Sequence, residues 1–157
     1  MNAQIQLEYQ ASHQYHLMFS YFDQDNVGLD KVAAFFEKNS LEERDHADML
    51  IRYQNTRGGR VDLKFRKVSL DYLKASKTND VLASFEKALD MEQGVYDSLF
   101  NLHGVAEKNN DPQFADSIEV MLDEQLKAIN SIAKQMSQLM RIGDDNHGIW
   151  QFTQVAL

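Results

Sequence analysis

Residues 32–53 read VAAFFEKNSLEERDHADMLIRY, and the spacing of their apolar positions decides how the rest of the chain is read. Val32, Phe36, Asn39, Glu43, His46, Leu50 and Tyr53 follow one another at steps of three and four. That is the period of one helix face packing into a bundle. The face is apolar at both ends, yet near its middle, where a bundle buries a stripe most deeply, it carries a carboxylate and an imidazole.

Three further stripes share the pattern. One runs Ile5, Glu8, Ser12, Tyr15, Phe19, Phe22, another Val81, Phe85, Ala88, Glu92, Val95, Leu99, Leu102, and the last Ile118, Leu122, Gln125, Ile129, Ile132, Met136, Leu139. Chain breakers separate them: Asp23 to Gly28, Gly58-Gly59, Asn109-Asn110-Asp111-Pro112, and Gly143 to Gly148. Pro112 stands near a helix start, where its missing N–H costs least. The spacing predicts four long helices, roughly 2–25, 29–57, 77–108 and 112–142, and a short fifth near 148–156.

The connections set the topology. The first and third are short and join antiparallel neighbours. The segment from Arg60 to about Lys77 is long and weakly periodic. At ~3.3 Å per residue it can run the length of a helix of about 28 residues, roughly 42 Å. The predicted fold is therefore all-α: a single domain over 1–157, a four-helix bundle with one long crossover and a short fifth C-terminal helix.

Heights along the bundle then follow from distances to the turns. Glu8 and Glu43 each lie 17 or 18 residues from Asp25-Asn26, while Glu92 and Gln125 lie 18 and 15 residues from Asn110. Equal distance from an antiparallel turn is equal height, so Glu8, Glu43, His46, Glu92 and Gln125 are expected to meet in one layer. Three carboxylates in an apolar core cannot all ionise without a positive partner, and no Lys or Arg occupies the stripes at that level. A bound cation answers the charge, and mixed carboxylate and imidazole donors suit iron, manganese or zinc. Glu43 and His46, three apart, share a helix face and can reach the same ion. A lone Glu-x-x-His is weak evidence, because charged helices contain it often; four interruptions at matching height are not. Tyr15, two turns from Glu8 on the same face, puts a hydroxyl within reach. His13, His16, His103 and His147 lack such company and read as surface or packing residues.

Composition narrows the classes. Sixteen Lys and Arg against 24 Asp and Glu give a formal net charge of −8 over 157 residues, which makes a nucleic-acid backbone an unfavourable partner. No apolar run approaches the ~20 residues of a membrane span. With no Cys, disulfides and thiolate sites are excluded. The apolar residues Ile149, Trp150, Phe152, Val155 and Leu157 follow four helices that already close a core, so this segment is expected to contact another subunit rather than its own bundle.

At the level of motifs the chain resembles the ferritin family over essentially its whole length. The resemblance rests on Leu7-Glu8-Tyr9 with Ala11-Ser12, Tyr21-Phe22-Asp23, Glu42-Glu43-Arg44-Asp45-His46-Ala47, Gln54 through Arg60, Asn101-Leu102-His103, and Glu124 through Ile129. Tyr15-His16, Asp25-Asn26-Val27 and His147 through Phe152 are most similar to plant and green-algal ferritins. The resemblance implies a ferritin-like bundle assembling into a hollow twenty-four-subunit cage, with ferroxidase activity that oxidises Fe(II) with dioxygen and stores a ferric mineral. By that resemblance Glu8 and His46 hold the first iron of a di-iron site, Glu43 bridges, Glu92 binds the second, and Gln125 and Tyr15 form the supporting polar shell. Glu42, Asp45 and Asp48 match acidic positions of the cavity face, and Asp116 and Glu119 match the lining of three-fold pores.

The chain departs from the family in three places. Between Glu119 and Glu124 it is one residue shorter, so the last long helix is expected to adjust its phase there. Asp stands for the more usual Glu at 45 and 48. Neither a plant-type extension nor a transit peptide is expected ahead of the first helix in this stretch. Chloroplast or plastid residence follows from the plant-like character, with the cytoplasm as the alternative. Two other classes compete: a soluble di-iron oxidoreductase acting on an organic substrate, for which the bulky stripe residues are expected to leave no cavity, and a non-catalytic helical bundle for storage or interaction.

Overall fold

Helix ends in this chain are set by a few local hydrogen bonds. In the computed structural model, which describes residues 1–64 and 66–157, six helices follow in order: α1 (Asn2–Phe22), α2 (Asp30–Thr56), α3 (Asp71–Ala75), α4 (Asp80–Lys108), α5 (Pro112–Ile142) and α6 (Asn146–Val155). The Asn79 side chain accepts from Leu82 N–H at 2.8 Å and caps α4. Asp111 accepts from Phe114 N–H ahead of Pro112, and Asp145 from Gly148 N–H. Each satisfies a donor the first helical turn leaves free. At the end of α2, Gly58 has a φ of +78°, and a Cβ at Gly59 would lie 2.6 Å from Gln54 Cγ, so both positions demand glycine.

The four long helices stand where the stripes place them. α1 packs along α2 and α4 along α5, with α1 also meeting α4. The first helix ends at Phe22, three residues short of the expected 25. The crossover holds the five-residue α3, too short to leave a period in the sequence. The crossover is stapled to the bundle by Tyr72 with Ser84 at 3.0 Å and by Gln14, which donates to Ser69 O and accepts from Ser69 N. Arg57 grips Asp111 with two donors, at 3.2 and 2.8 Å, and so ties the end of α2 to the start of α5.

Two expectations need correction. α5 runs unbroken through Glu119 to Glu124, and the stripe residue there is Met121 rather than Leu122. Its inward face passes from Ile118 through Met121 to Gln125, all buried, while Leu122 is only half-buried. α6 folds onto its own bundle: Ile149 and Phe152 are buried in the core, Phe152 edge-on to Phe85 with centroids 6.3 Å apart. Only its other side, with Trp150 54% and Val155 80% exposed, is left for another subunit.

The apolar core comes in two parts. Tyr15, Met18, Phe22, Phe36, Phe85, Ile132 and Leu139 form one cluster; Ile5, Leu50, Val95, Leu99, Ile118 and Met121 form the other. Ser12 and Ser40 each donate to the other's backbone carbonyl, at 2.7 and 2.8 Å, and bind α1 to α2. Phe36 is the hub of the first cluster, with ring centroids 6.0 Å from Tyr15, 5.6 Å from Phe22 and 5.5 Å from Phe85. Phe36→Ala should destabilise the fold by about 3–5 kcal/mol, read as a lower denaturation midpoint by circular dichroism.

Candidate functional site

Between the two apolar clusters lie Glu8 from α1, Glu43 from α2, Glu92 from α4 and Gln125 from α5, all almost fully buried. Each helix contributes one interruption of its stripe, so the layer is built by the phase of all four. Ligand atoms of Glu8, Glu43 and His46 lie within 4.8 Å of one another. Glu8 Oε2, Glu43 Oε2 and His46 Nδ1 are buried and have no hydrogen-bond partner. Such orphaned atoms are rare in a folded core, and here three neighbouring residues with the donor chemistry of a divalent metal ligand set each carry one.

His46 is aimed by a residue outside the stripes. Its Nε2 lies 3.1 Å from Glu124 Oε2. A carboxylate can only accept, so this nitrogen donates its N–H, and in the neutral ring that leaves the lone pair on Nδ1. Nδ1 faces Glu43 Oε1 at 3.9 Å. A third support reaches Glu8: Gln4 Nε2 donates to Glu8 Oε1 at 2.7 Å. Spacing alone did not reveal Glu124 or Gln4. Glu124 neighbours the buried Gln125 but is itself exposed, and Gln4 reads as an ordinary polar residue near a helix start. Its position four residues before Glu8 was the available signal.

Glu92 differs from its neighbours. Tyr15 Oη donates to its Oε1 and Gln125 Nε2 to its Oε2, so both oxygens already have partners. Burial raises the Glu92 carboxyl, and these two donors oppose the rise. Glu8 is pushed well above its usual range, first by burial and then by the charge of Glu43. Glu43 is pushed up to about 8 by burial and the charge of Glu92. Among the described residues no lysine or arginine forms an ion pair with any of the three.

A cleft of about 600 Å³ between α2 and α5 opens beside the layer. Its lining includes Glu43, His46, Gln125, Phe35 and Ile132, with the exposed Lys38, Glu42, Asp45, Glu124 and Lys127 at its rim. The expectation that bulky residues leave no cavity here is thus wrong: α2 and α5 stand apart while α1·α2 and α4·α5 pack closely. Glu42 and Asp45 come to this cleft, whereas Asp48 turns to α1 and accepts from Tyr9 Oη at 3.0 Å. Asp116 and Glu119 lie elsewhere, exposed along α5 in a shallow depression with Asp123. Glu119 Oε1 is 3.1 Å from His103 Nε2.

Comparison with known proteins agrees with this architecture. The family model described as "Ferritin-like domain" matches residues 1–142, the five helices through α5. The chain is 46% identical to chloroplastic ferritin-2 of Zea mays and 47% identical to the chloroplastic ferritin of Malus baccata var. xiaojinensis. Each alignment spans 158 residues and covers 100% of this chain and 63% of the relative. It is 46% identical to chloroplastic ferritin-3 of Arabidopsis thaliana, again over the whole chain and 61% of that protein. The chain therefore spans somewhat over three fifths of the length of these relatives.

The raised carboxyls fix a pH dependence for the metal-free protein. Unfolded, these groups release their protons near 4.5, while folded Glu43 holds its proton to about 8. The folded state binds more protons in that interval, so stability from this layer is greatest below about pH 4.5 and falls as pH rises toward 8. Thermal melts of metal-free protein should show the decline between about pH 5 and 8, and Glu43→Gln should flatten it.

Proposed function

This chain belongs to the ferritin family, and we propose that its buried polar layer is a ferroxidase centre, which oxidises Fe(II) with dioxygen and passes Fe(III) to a mineral store. The observation that carries the reading is the meeting of ligand atoms of Glu8, Glu43 and His46 within 4.8 Å of one another, each residue keeping a buried unpartnered atom, with no described lysine or arginine paired to the carboxyls. Iron is here a substrate. Two Fe(II) give one electron each, and dioxygen with two protons becomes hydrogen peroxide.

The residues divide the work. Glu8 and His46 hold the first ion, with Glu43 as the bridge and Glu92 on the second. The first three present free atoms and bind without rearrangement. Each Glu92 oxygen already accepts one hydrogen bond, from Tyr15 or from Gln125, and has only its remaining lone pair for an ion, which makes the second position the weaker one and suits an ion in transit. Hard carboxylate oxygens favour Fe(III) over Fe(II) and so assist electron loss. The cleft then offers Glu42, Asp45 and Glu124 as acidic steps away from the centre. Three carboxylates at the rim, Glu42, Asp45 and Glu124, give a moving cation successive partners. Asp116 and Glu119 would concentrate Fe(II) at an entry pore by their negative potential.

Storage requires an enclosure. We assign it to a cage of twenty-four copies of the chain, to which α6 contributes its exposed Trp150 and Val155 edge. The plastid is the proposed compartment, on the strength of the chloroplastic ferritins it matches.

Rapid aerobic oxidation of Fe(II), followed by absorbance in stopped flow, should fall at least about 100-fold in Glu43→Ala, since losing a ligand exceeds the 10- to 100-fold cost of losing an outer partner. An unchanged rate refutes the centre. Truncation before Gly148 should leave the bundle helical by circular dichroism but shift sedimentation to species smaller than the full-length assembly.

A further inference from the structure

We propose that Gln4, oriented by Ser98, is a positioning residue that delivers one oxygen of Glu8 to the first metal ion. The inference rests on the ferroxidase reading and extends it to two residues outside the ligand set. Gln4 lies one turn before Glu8 on the same face of α1 and is almost fully buried. Its Nε2 donates to Glu8 Oε1 at 2.7 Å, and its Oε1 accepts from the Ser98 hydroxyl on α4.

Hydrogen-bonding capacity gives this short chain a direction. The Glu8 carboxylate accepts only, so the Gln4 amide must turn its NH₂ toward it; the amide carbonyl then needs a donor, which the Ser98 hydroxyl supplies. Ser98 adds a second lock to the one Glu8 supplies: a turned amide would set its carbonyl against the carboxylate and also take the acceptor away from the Ser98 hydroxyl. The terminal torsion of a glutamate is broad, and a carboxylate free to swing must be ordered by the ion that binds it. Here Oε1 is tethered, while Oε2 stays buried and unpartnered in a carboxyl that lies beside the ligand atoms of Glu43 and His46. Gln4 does for Glu8 what Glu124 does for His46: it occupies one atom and thereby aims the other.

A staple that only holds α1 to α4 would change stability and leave metal affinity alone, so affinity is the measurement that separates the two roles. Co(II), followed by its visible absorption, is titrated into the metal-free assembled protein and into Gln4→Met, Ser98→Ala, Ser98→Thr and Glu43→Ala. Gln4→Met and Ser98→Ala should weaken the first Co(II) step about 10- to 100-fold, with Ser98→Thr near wild type and melting temperatures little changed. If Gln4→Met does not fold, the serine pair decides: equal weakening by alanine and threonine means packing and overturns the proposal. Unchanged affinity in Gln4→Met or Ser98→Ala, with binding still lost in Glu43→Ala, overturns the positioning role alone. A wild type that binds no Co(II) overturns the metal-centre reading, and this role with it.

Discussion

Three carboxyl groups buried at one height, with no described lysine or arginine paired to them, are the constraint to which the rest of this molecule is fitted. Glu8, Glu43 and Glu92 cut the apolar core into two clusters, and a continuous run of aliphatic residues would serve the bundle's stability better. Burial raises all three. The folded protein accepts a penalty at neutral pH that only protons or a cation can relieve. The bulk of the core sits on either side, with the Phe22, Phe36 and Phe85 stack below and Ile5, Leu99 and Ile118 above, and holds the four helices together across a layer that favours separation.

Around that layer the hydrogen bonds are unequal. Glu8 and His46 are each held by one outside partner and left with one free atom, whereas Glu92 has both oxygens engaged by Tyr15 and Gln125. The four long helices thus carry a polar layer that is not symmetric, with unpartnered atoms on the α1 and α2 side and none on Glu92.

Much of this could be read from the chain because two periodicities reinforced each other. The three-and-four step located the stripes, and equal distance from the turns aligned Glu8 with Glu43 and Glu92 with Gln125. What escaped lies where those signals are silent. Glu124 sits one residue off the buried face, and its role depends on which nitrogen of His46 points outward. Gln4 gains its meaning from Ser98, 94 residues away. The α3 helix is too short to show a period. An amphipathic α6 presents the same apolar pattern whether it covers its own bundle or a neighbour, and in fact Phe152 turns inward while Trp150 does not. The cleft depends on the separation of α2 from α5, a distance that stripe residues alone do not encode.

That separation has a consequence for direction. Glu43 and His46 border the cleft between α2 and α5, whose rim carries Glu42, Asp45 and Glu124 beside Lys38 and Lys127, while the groove on the α1 and α4 side is bordered by neither. On the ferroxidase reading proposed above, a layer that opens to this cleft polarises the subunit: an ion leaving through it emerges between α2 and α5, so copies packed side by side would present two unlike faces without any moving part.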